Sequence, residues 1–264
     1  MTGKRALSPC PEAFVELAGR LADAAGPILR RYFRARHEVE FKEDSSPVSA
    51  ADRESEAAMR EIIERETPEH GILGEEYGTV RGDAEYVWVL DPLDGTASFV
   101  TGKPMFGTLI ALARRGVPLL GIIDQPTLVE RWVGVEGRPT LYNGTPARTR
   151  PCAALRSAWL YATSPQMFQG PNFVAFEHLR KRVRRAVYGA ECYAYGLLAS
   201  GFVDLVVEAD LKPYDFCALV PVVKGAGGEI TEWSGRPLTI RSEGRVVAAG
   251  DPHLHGEACR ALAV

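Results

Sequence analysis

Tyr86-Val87-Trp88-Val89-Leu90-Asp91-Pro92-Leu93-Asp94-Gly95-Thr96 is the stretch on which the reading of this chain turns. Its first half is a continuous apolar, β-branched run, the pattern of a strand covered on both faces. The run ends abruptly in Asp91, and strand-end loops are where a rigid scaffold presents reacting groups. Pro92 fixes its own φ and brings no backbone donor, which sharpens the turn. Asp91 and Asp94 would repel one another if both were buried without a compensating charge. A hard divalent cation resolves that conflict, and carboxylates with carbonyls and water suit magnesium. Gly95 lets a ligand approach the backbone, and the Gly95 and Thr96 amides form an anion site if a helix starts here. Taken alone, the same residues also describe an ordinary solvated turn, since Asp, Pro and Gly all favour turns.

Upstream, Phe14, Leu17, Leu21, Ala25 and Ile28 recur at helical spacing and predict an amphipathic helix over Pro11 to Arg34. A short extended piece at Val39 to Phe41 and a polar loop, Lys42 to Pro47, lead to a second helix. Ser49 is its N-cap, Glu66 its approximate end, and Ala57, Ile62 and Ile63 its apolar side. Strands follow at Gly71-Gly74, Tyr86-Leu90, Phe106-Ala113, Leu119-Asp124, Glu130-Val135 and around Leu141, with turns at Gly116-Val117-Pro118 and Asn143-Gly144. This succession predicts a mainly antiparallel sheet packed on the two early helices. After residue 146 the pattern alternates: strand Ala158-Ala162, helix Asn172-Arg182, strand Val183-Val187, helix Cys192-Ser200, strand Val203-Val207, helix Phe216-Ala226. The expected division is an N-terminal α+β half, 1–145, carrying metal-binding loops, and a C-terminal α/β half, 146–264, carrying substrate-facing residues, in one integrated unit.

The 264 residues suffice for one large core or two packed halves, and 46% hydrophobic with 25% charged residues is ordinary for a globular protein. A net charge of −3 gives no overall attraction to nucleic acid or anionic membranes, so neither is expected as a partner. The five cysteines are scattered without metal-like spacing, the N-terminus lacks a signal-peptide core, and no apolar run spans a bilayer. A cytoplasmic protein with free thiols is expected. Lys181-Arg182-Val183-Arg184-Arg185 and Leu29-Arg30-Arg31-Tyr32-Phe33-Arg34 read as solvated helix ends, and none of the five histidines is assigned a catalytic role.

Three further segments bear on Asp91-Thr96. Gly74-Glu75-Glu76 ends another short apolar run, Lys42 to Asp52 holds a cation and a carboxylate before a helix, and Tyr214-Asp215-Phe216-Cys217-Ala218 places an acid at an apparent helix start. Each has a bland alternative: surface acids for Glu75 and Glu76, an N-cap for Asp215. Together, the segments Lys42-x-Asp44-x-Ser46-Pro47-Val48-Ser49-x-Ala51-Asp52, Gly74-Glu75-Glu76, Trp88 to Thr96, Tyr214 to Ala218 and Gly225-Ala226-Gly227-Gly228 resemble the inositol monophosphatase superfamily from about Phe14 to Asp251. The sequence departs from that pattern at Tyr214, where many members have Trp, and at Phe216-Cys217.

The resemblance implies a layered αβαβα sandwich of the inositol monophosphatase/fructose-1,6-bisphosphatase type and magnesium-dependent hydrolysis of a small phosphate ester. It implies that Glu75, Asp91 and the Leu93 carbonyl hold one magnesium, and that Asp91, Asp94 and Asp215 hold a second. About two or three ions per subunit are expected. Glu75 and Thr96 would position the attacking water, Asp52 would orient the Thr96 hydroxyl, and the Gly95 and Thr96 amides would hold phosphate. A homodimer is also implied.

Within the superfamily, Glu191 stands where inositol phosphatases have a small residue, and Glu208 where an acid contacts substrate. Two acids beside a phosphate site favour a cationic leaving group, as in histidinol phosphate, whose hydrolysis serves histidine biosynthesis. Thr101 to Leu112, Gly121 to Pro126, Glu130-Arg131-Trp132 and Cys192 to Gly201 also resemble the histidinol-phosphatase branch. The alternatives are a solvated helix-start role for Glu191 and, for the protein, an inositol monophosphatase, a broad sugar phosphatase, or a regulatory protein binding RNA or the transcription machinery. Gln125 either faces substrate or stitches the loop at Pro126.

Overall fold

The computed structural model describes residues 9–35, 39–41 and 47–263. The chain opens with α1 (Glu12–Tyr32), β1 (Val39–Phe41), β2 (Pro47–Ser49) and α2 (Ala50–Glu66), then β3 (Gly71–Gly74), β4 (Gly78–Val80), β5 (Tyr86–Asp94) and the short α3 (Thr96–Val100). A meander follows: β6 (Gly107–Arg114), β7 (Val117–Gln125), β8 (Glu130–Val135), β9 (Leu141–Tyr142) and β10 (Thr145–Pro146). Next come β11 (Trp159–Ala162), α4 (Pro171–Arg180), β12 (Arg185–Tyr188), α5 (Tyr193–Ala199) and β13 (Leu205–Glu208). The chain closes with α6 (Pro213–Phe216), α7 (Leu219–Gly225), β14 (Glu229–Glu232), β15 (Val246–Ala249) and α8 (Pro252–Leu262). Lys42, Asp44 and Ser46, and the polar loop predicted there, lie outside the described residues.

β10-β9-β8-β7-β6-β5-β3-β4 form one eight-stranded sheet, antiparallel except where β3 runs parallel to β5. β12-β11-β13-β15-β14 form a five-stranded sheet, parallel across β12, β11 and β13 and antiparallel at β15. Alternation along β5 builds the layers, because successive side chains leave a strand on opposite faces. Trp88 and Leu90 join Leu17, Leu21, Met59 and Ile63 in a core under α1 and α2. Val87 and Val89 join residues of α5 and α7, which pack in turn on Val206 and Ala248 of the second sheet. The far face of that sheet, with Leu205 and Val247, is covered by Phe176 of α4 and Leu254 of α8. The order is helix, sheet, helix, sheet, helix, the expected αβαβα sandwich.

Three local expectations need correction. The buried side of α2 is Ala51, Asp52, Ser55, Glu56, Met59 and Ile63, while Ala57 is exposed and Ile62 half-buried. Met59 and Ile63 join the sheet core, while Asp52, Ser55 and Glu56 make the middle of the buried stripe polar, which an apolar pattern cannot show. On α1, Leu29 rather than Ile28 is fully buried. The single helix predicted over Phe216-Ala226 is split into α6 and α7. Pro221 lacks the N–H that would bond the Cys217 carbonyl, so a continuous helix cannot form there.

Candidate active site

β5 does not stop at Asp91. It continues to Asp94 across a bulge, where Asp91 pairs with Leu109 and Asp94 with Gly107 of β6. The extra residue accommodates Pro92, which cannot donate to a ladder in a central strand. The Thr108 hydroxyl donates to the Pro92 carbonyl at 2.9 Å, and the Leu93 amide donates to Asp91 at 3.0 Å. Gly95 follows with φ of 87°, in the left-handed region, as the N-cap of α3. A Cβ there would lie 2.8 Å from Glu191 Cγ and 3.0 Å from the Met105 carbonyl, so only glycine fits. The Thr96 hydroxyl has one proton and two acceptors in reach, Asp52 at 3.2 Å and the Leu93 carbonyl at 3.0 Å.

One carboxylate oxygen from each of Asp91, Asp94 and Asp215 lie within 4.8 Å of one another. Asp94 is fixed across the molecule, its Oδ2 accepting the Cys192 amide at 2.6 Å. Asp215 is not the N-cap of α6 but its third residue, and it accepts the Lys212 amide at 2.6 Å. Glu75 follows β3 directly and lies beside Asp91, its amide donating to the Leu90 carbonyl at 3.2 Å. Burial pushes the Asp91 pKa well above the carboxylate range, and the charges of Glu75, Asp94 and Asp215 push the same way. Asp94 is pushed up to about 7, chiefly by burial, against the lowering effect of its Cys192 bonds. Asp215 is raised by burial and then by Asp94. Buried oxygens that mutually disfavour ionisation are what a hard divalent cation neutralises, and this all-oxygen set fits magnesium.

Glu191 packs over Gly95 with φ of 48°, a left-handed conformation uncommon for a non-glycine residue. One of its oxygens accepts the Ser98 hydroxyl at 2.6 Å; the other is buried with no hydrogen-bond partner among the described residues. Burial raises its pKa, opposed by Ser98 and Lys103. Glu208 is placed differently. It is buried, one oxygen accepting the Thr163 amide at 3.0 Å and the Thr163 hydroxyl at 2.5 Å, the other the Tyr195 hydroxyl at 2.8 Å. Its lone pairs are largely spent on the protein. Gln125 stitches its own loop, donating to the Pro104 carbonyl and accepting the Thr127 and Leu128 amides. His70 and His255 are buried away from the acid cluster's hydrogen bonds, His255 against Thr231.

The sequence reading missed Ser98, the Cys192 amide and Glu56. Glu56 carried a usable signal, since it stands four residues after Asp52 and four before Arg60, on one helix stripe.

A family model described as the inositol monophosphatase family matches residues 11–263. The chloroplastic bifunctional phosphatase IMPL2 of Arabidopsis thaliana is 50% identical over 260 residues, which span 95% of this chain and 75% of that protein. The histidinol-phosphatase of Mycobacterium tuberculosis is 36% identical over 229 residues, 83% of this chain and 87% of its own length. A solved structure of an inositol monophosphatase from Zymomonas mobilis is similar with a TM-score of 0.89 at 51% identity, covering 96% of this chain and 98% of that one.

Proposed function

We propose that this chain, which belongs to the inositol monophosphatase family and is a metal-dependent phosphatase of it, hydrolyses histidinol phosphate to histidinol and phosphate. The observation that carries the choice is the Glu191 oxygen that has no partner among the described residues. A buried carboxylate oxygen without a donor is costly, and an ammonium or imidazolium supplies a charge-assisted bond that a neutral hydroxyl supplies only weakly. Glu191 sits against Gly95, next to the backbone proposed to hold phosphate, which is where a leaving group emerges. Glu191, rather than the already satisfied Glu208, is the selecting acid. The histidinol-phosphatase relative adds support by its name.

In this reading Glu75, Asp91, Asp94, Asp215 and the Leu93 carbonyl hold about two or three magnesium ions. Bound magnesium lowers the pKa of a water and offsets charge building on the phosphoryl group and leaving oxygen. Thr96 Oγ1 accepts a proton from the attacking water while passing its own to Asp52 Oδ1, the acceptor already in place at 3.2 Å. Glu75 orients the same water. The Gly95 and Thr96 amides, at the start of α3 and without helical partners, hold the phosphate oxygens. No protein nucleophile takes part.

A homodimer, and a cytoplasmic location, belong to the same proposal. The second is supported by five free cysteines, which suit any reducing compartment, although one relative is named chloroplastic. No helix among the described residues is long and apolar enough to cross a membrane.

The rival substrate is inositol phosphate, favoured by the name of the Zymomonas mobilis structure. Phosphate release from histidinol phosphate, inositol 1-phosphate and fructose 1,6-bisphosphate, at equal magnesium, separates them. The expected result is a kcat/KM highest for histidinol phosphate, lowered roughly 10- to 100-fold by Glu191→Ala, with inositol phosphate turnover little changed. Inositol phosphate hydrolysed equally well would remove the proposed substrate.

A further inference from the structure

Glu56 is the feature that the proposed mechanism leaves unused. Its side chain is fully buried on α2, one turn beyond Asp52, and it points at the loop that follows β3. One oxygen accepts the Glu76 amide at 2.7 Å, and the other accepts the Tyr77 amide at 3.2 Å. Arg60, a further turn along, donates Nε to Glu56 at 2.7 Å and Nη2 to the Gly78 carbonyl. Two amides and one carbonyl of the turn after Glu75 are thereby bound to a single helix stripe. The fit is tight at its other edge too: a Cβ at Gly74 would lie 2.0 Å from Glu56 Oε1.

We propose that Glu56 is a positioning residue for Glu75: by holding the Glu76 and Tyr77 amides it fixes the turn that aims the Glu75 carboxylate at Asp91. The proposal rests on the reading of Glu75 as a metal ligand. The Glu75 amide bond to Leu90 keeps the backbone of the acid beside β5, and Glu56 fixes the two residues that follow it. Groups that orient a metal ligand from behind typically change affinity about 10- to 100-fold when altered. The same stripe then serves both sides of the site, Asp52 supporting Thr96 and Glu56 supporting Glu75.

The test uses Glu56→Gln, which keeps the volume and one acceptor but turns an NH2 group towards an amide donor. Two readouts avoid turnover: hydrogen exchange at the Glu76 and Tyr77 amides in metal-free protein, and calorimetric titration with magnesium alone. Exchange about tenfold faster or more, with magnesium binding about 10-fold weaker, is expected. In assays, kcat recovers at high magnesium while the half-saturating magnesium stays raised. Glu56→Ala, if it folds, moves both readouts further. Unchanged exchange, or faster exchange with unaltered binding, overturns the proposal, provided Glu75→Gln weakens magnesium binding. If Glu75→Gln also leaves binding intact, it is the ligand reading of Glu75 that fails. Weaker binding with unchanged exchange overturns positioning in favour of a long-range charge effect.

Discussion

Asp94 serves two partners with one carboxylate. Its Oδ2 takes the Cys192 amide at the start of α5, and the same carboxylate offers an oxygen to the cluster with Asp91 and Asp215. Asparagine in its place can keep the amide acceptor but brings no ionised oxygen to the proposed cation site. Asp94→Asn is therefore expected to cut kcat about 100-fold or more, while the metal-free protein melts no lower than the parent, because a repelling acid has gone. Near-native kcat at saturating magnesium would sink the assignment. Residues such as Asp91, Asp94 and Asp215 were legible because each acid interrupts an apolar run, an anomaly visible within a few neighbours. Glu208 was legible as an acid but not in its role. The Thr163 and Tyr195 groups that satisfy it come from the end of β11 and from α5, distant in sequence.

At the level of elements, α7 and the residues leading into it lie directly on the backbone of the large sheet. A Cβ on Gly121 of β7 would come 2.0 Å from the Ala218 carbonyl, and one on Gly134 of β8 would come 2.3 Å from the Val222 amide. These neighbours are backbone and cannot swing aside. Gly134→Ala is expected to destabilise the protein by about 1–3 kcal/mol, read as a lower urea midpoint with unchanged m-value. It should also raise the magnesium needed for half-maximal rate, since the displaced helix follows α6, which holds Asp215. An unchanged midpoint would show that the layers can separate cheaply. The helices and most strands were legible because their periodicity is local. The break between α6 and α7 was missed although Pro221 announces it, and the polar stripe of α2 was missed because helix patterns are sought in apolar residues. β4, β14 and β15 escaped for another reason. Runs of three or four residues are too short for a period, and β15 is defined only by its pairing with β13 and β14.

At the level of the whole molecule, the acid cluster couples stability to protons and, in the proposed reading, to magnesium. Asp91, Asp94 and Asp215 all have pKa values raised by the fold above the ordinary 3.8, Asp94 to about 7. Between those values the folded, metal-free protein holds protons that the unfolded chain has released. Stability from these groups is thus fully present below the unfolded pKa and is lost as pH rises through the folded one. The Tm in EDTA is expected to fall from about pH 5 to about pH 7.5, and the Tm gain on adding magnesium to grow over the same range. An equal magnesium gain at both ends would separate the cluster from cation binding. The layered architecture was legible chiefly because β5 is apolar on both sides, which requires a covering layer on each. The three-oxygen cluster also orders events during synthesis. Asp91 and Asp94 leave the ribosome well before Asp215, so the cluster is incomplete until α6 has been made. Its three oxygens come together only when α6 has docked on β5, so the cluster is a late product of folding rather than of any one local segment.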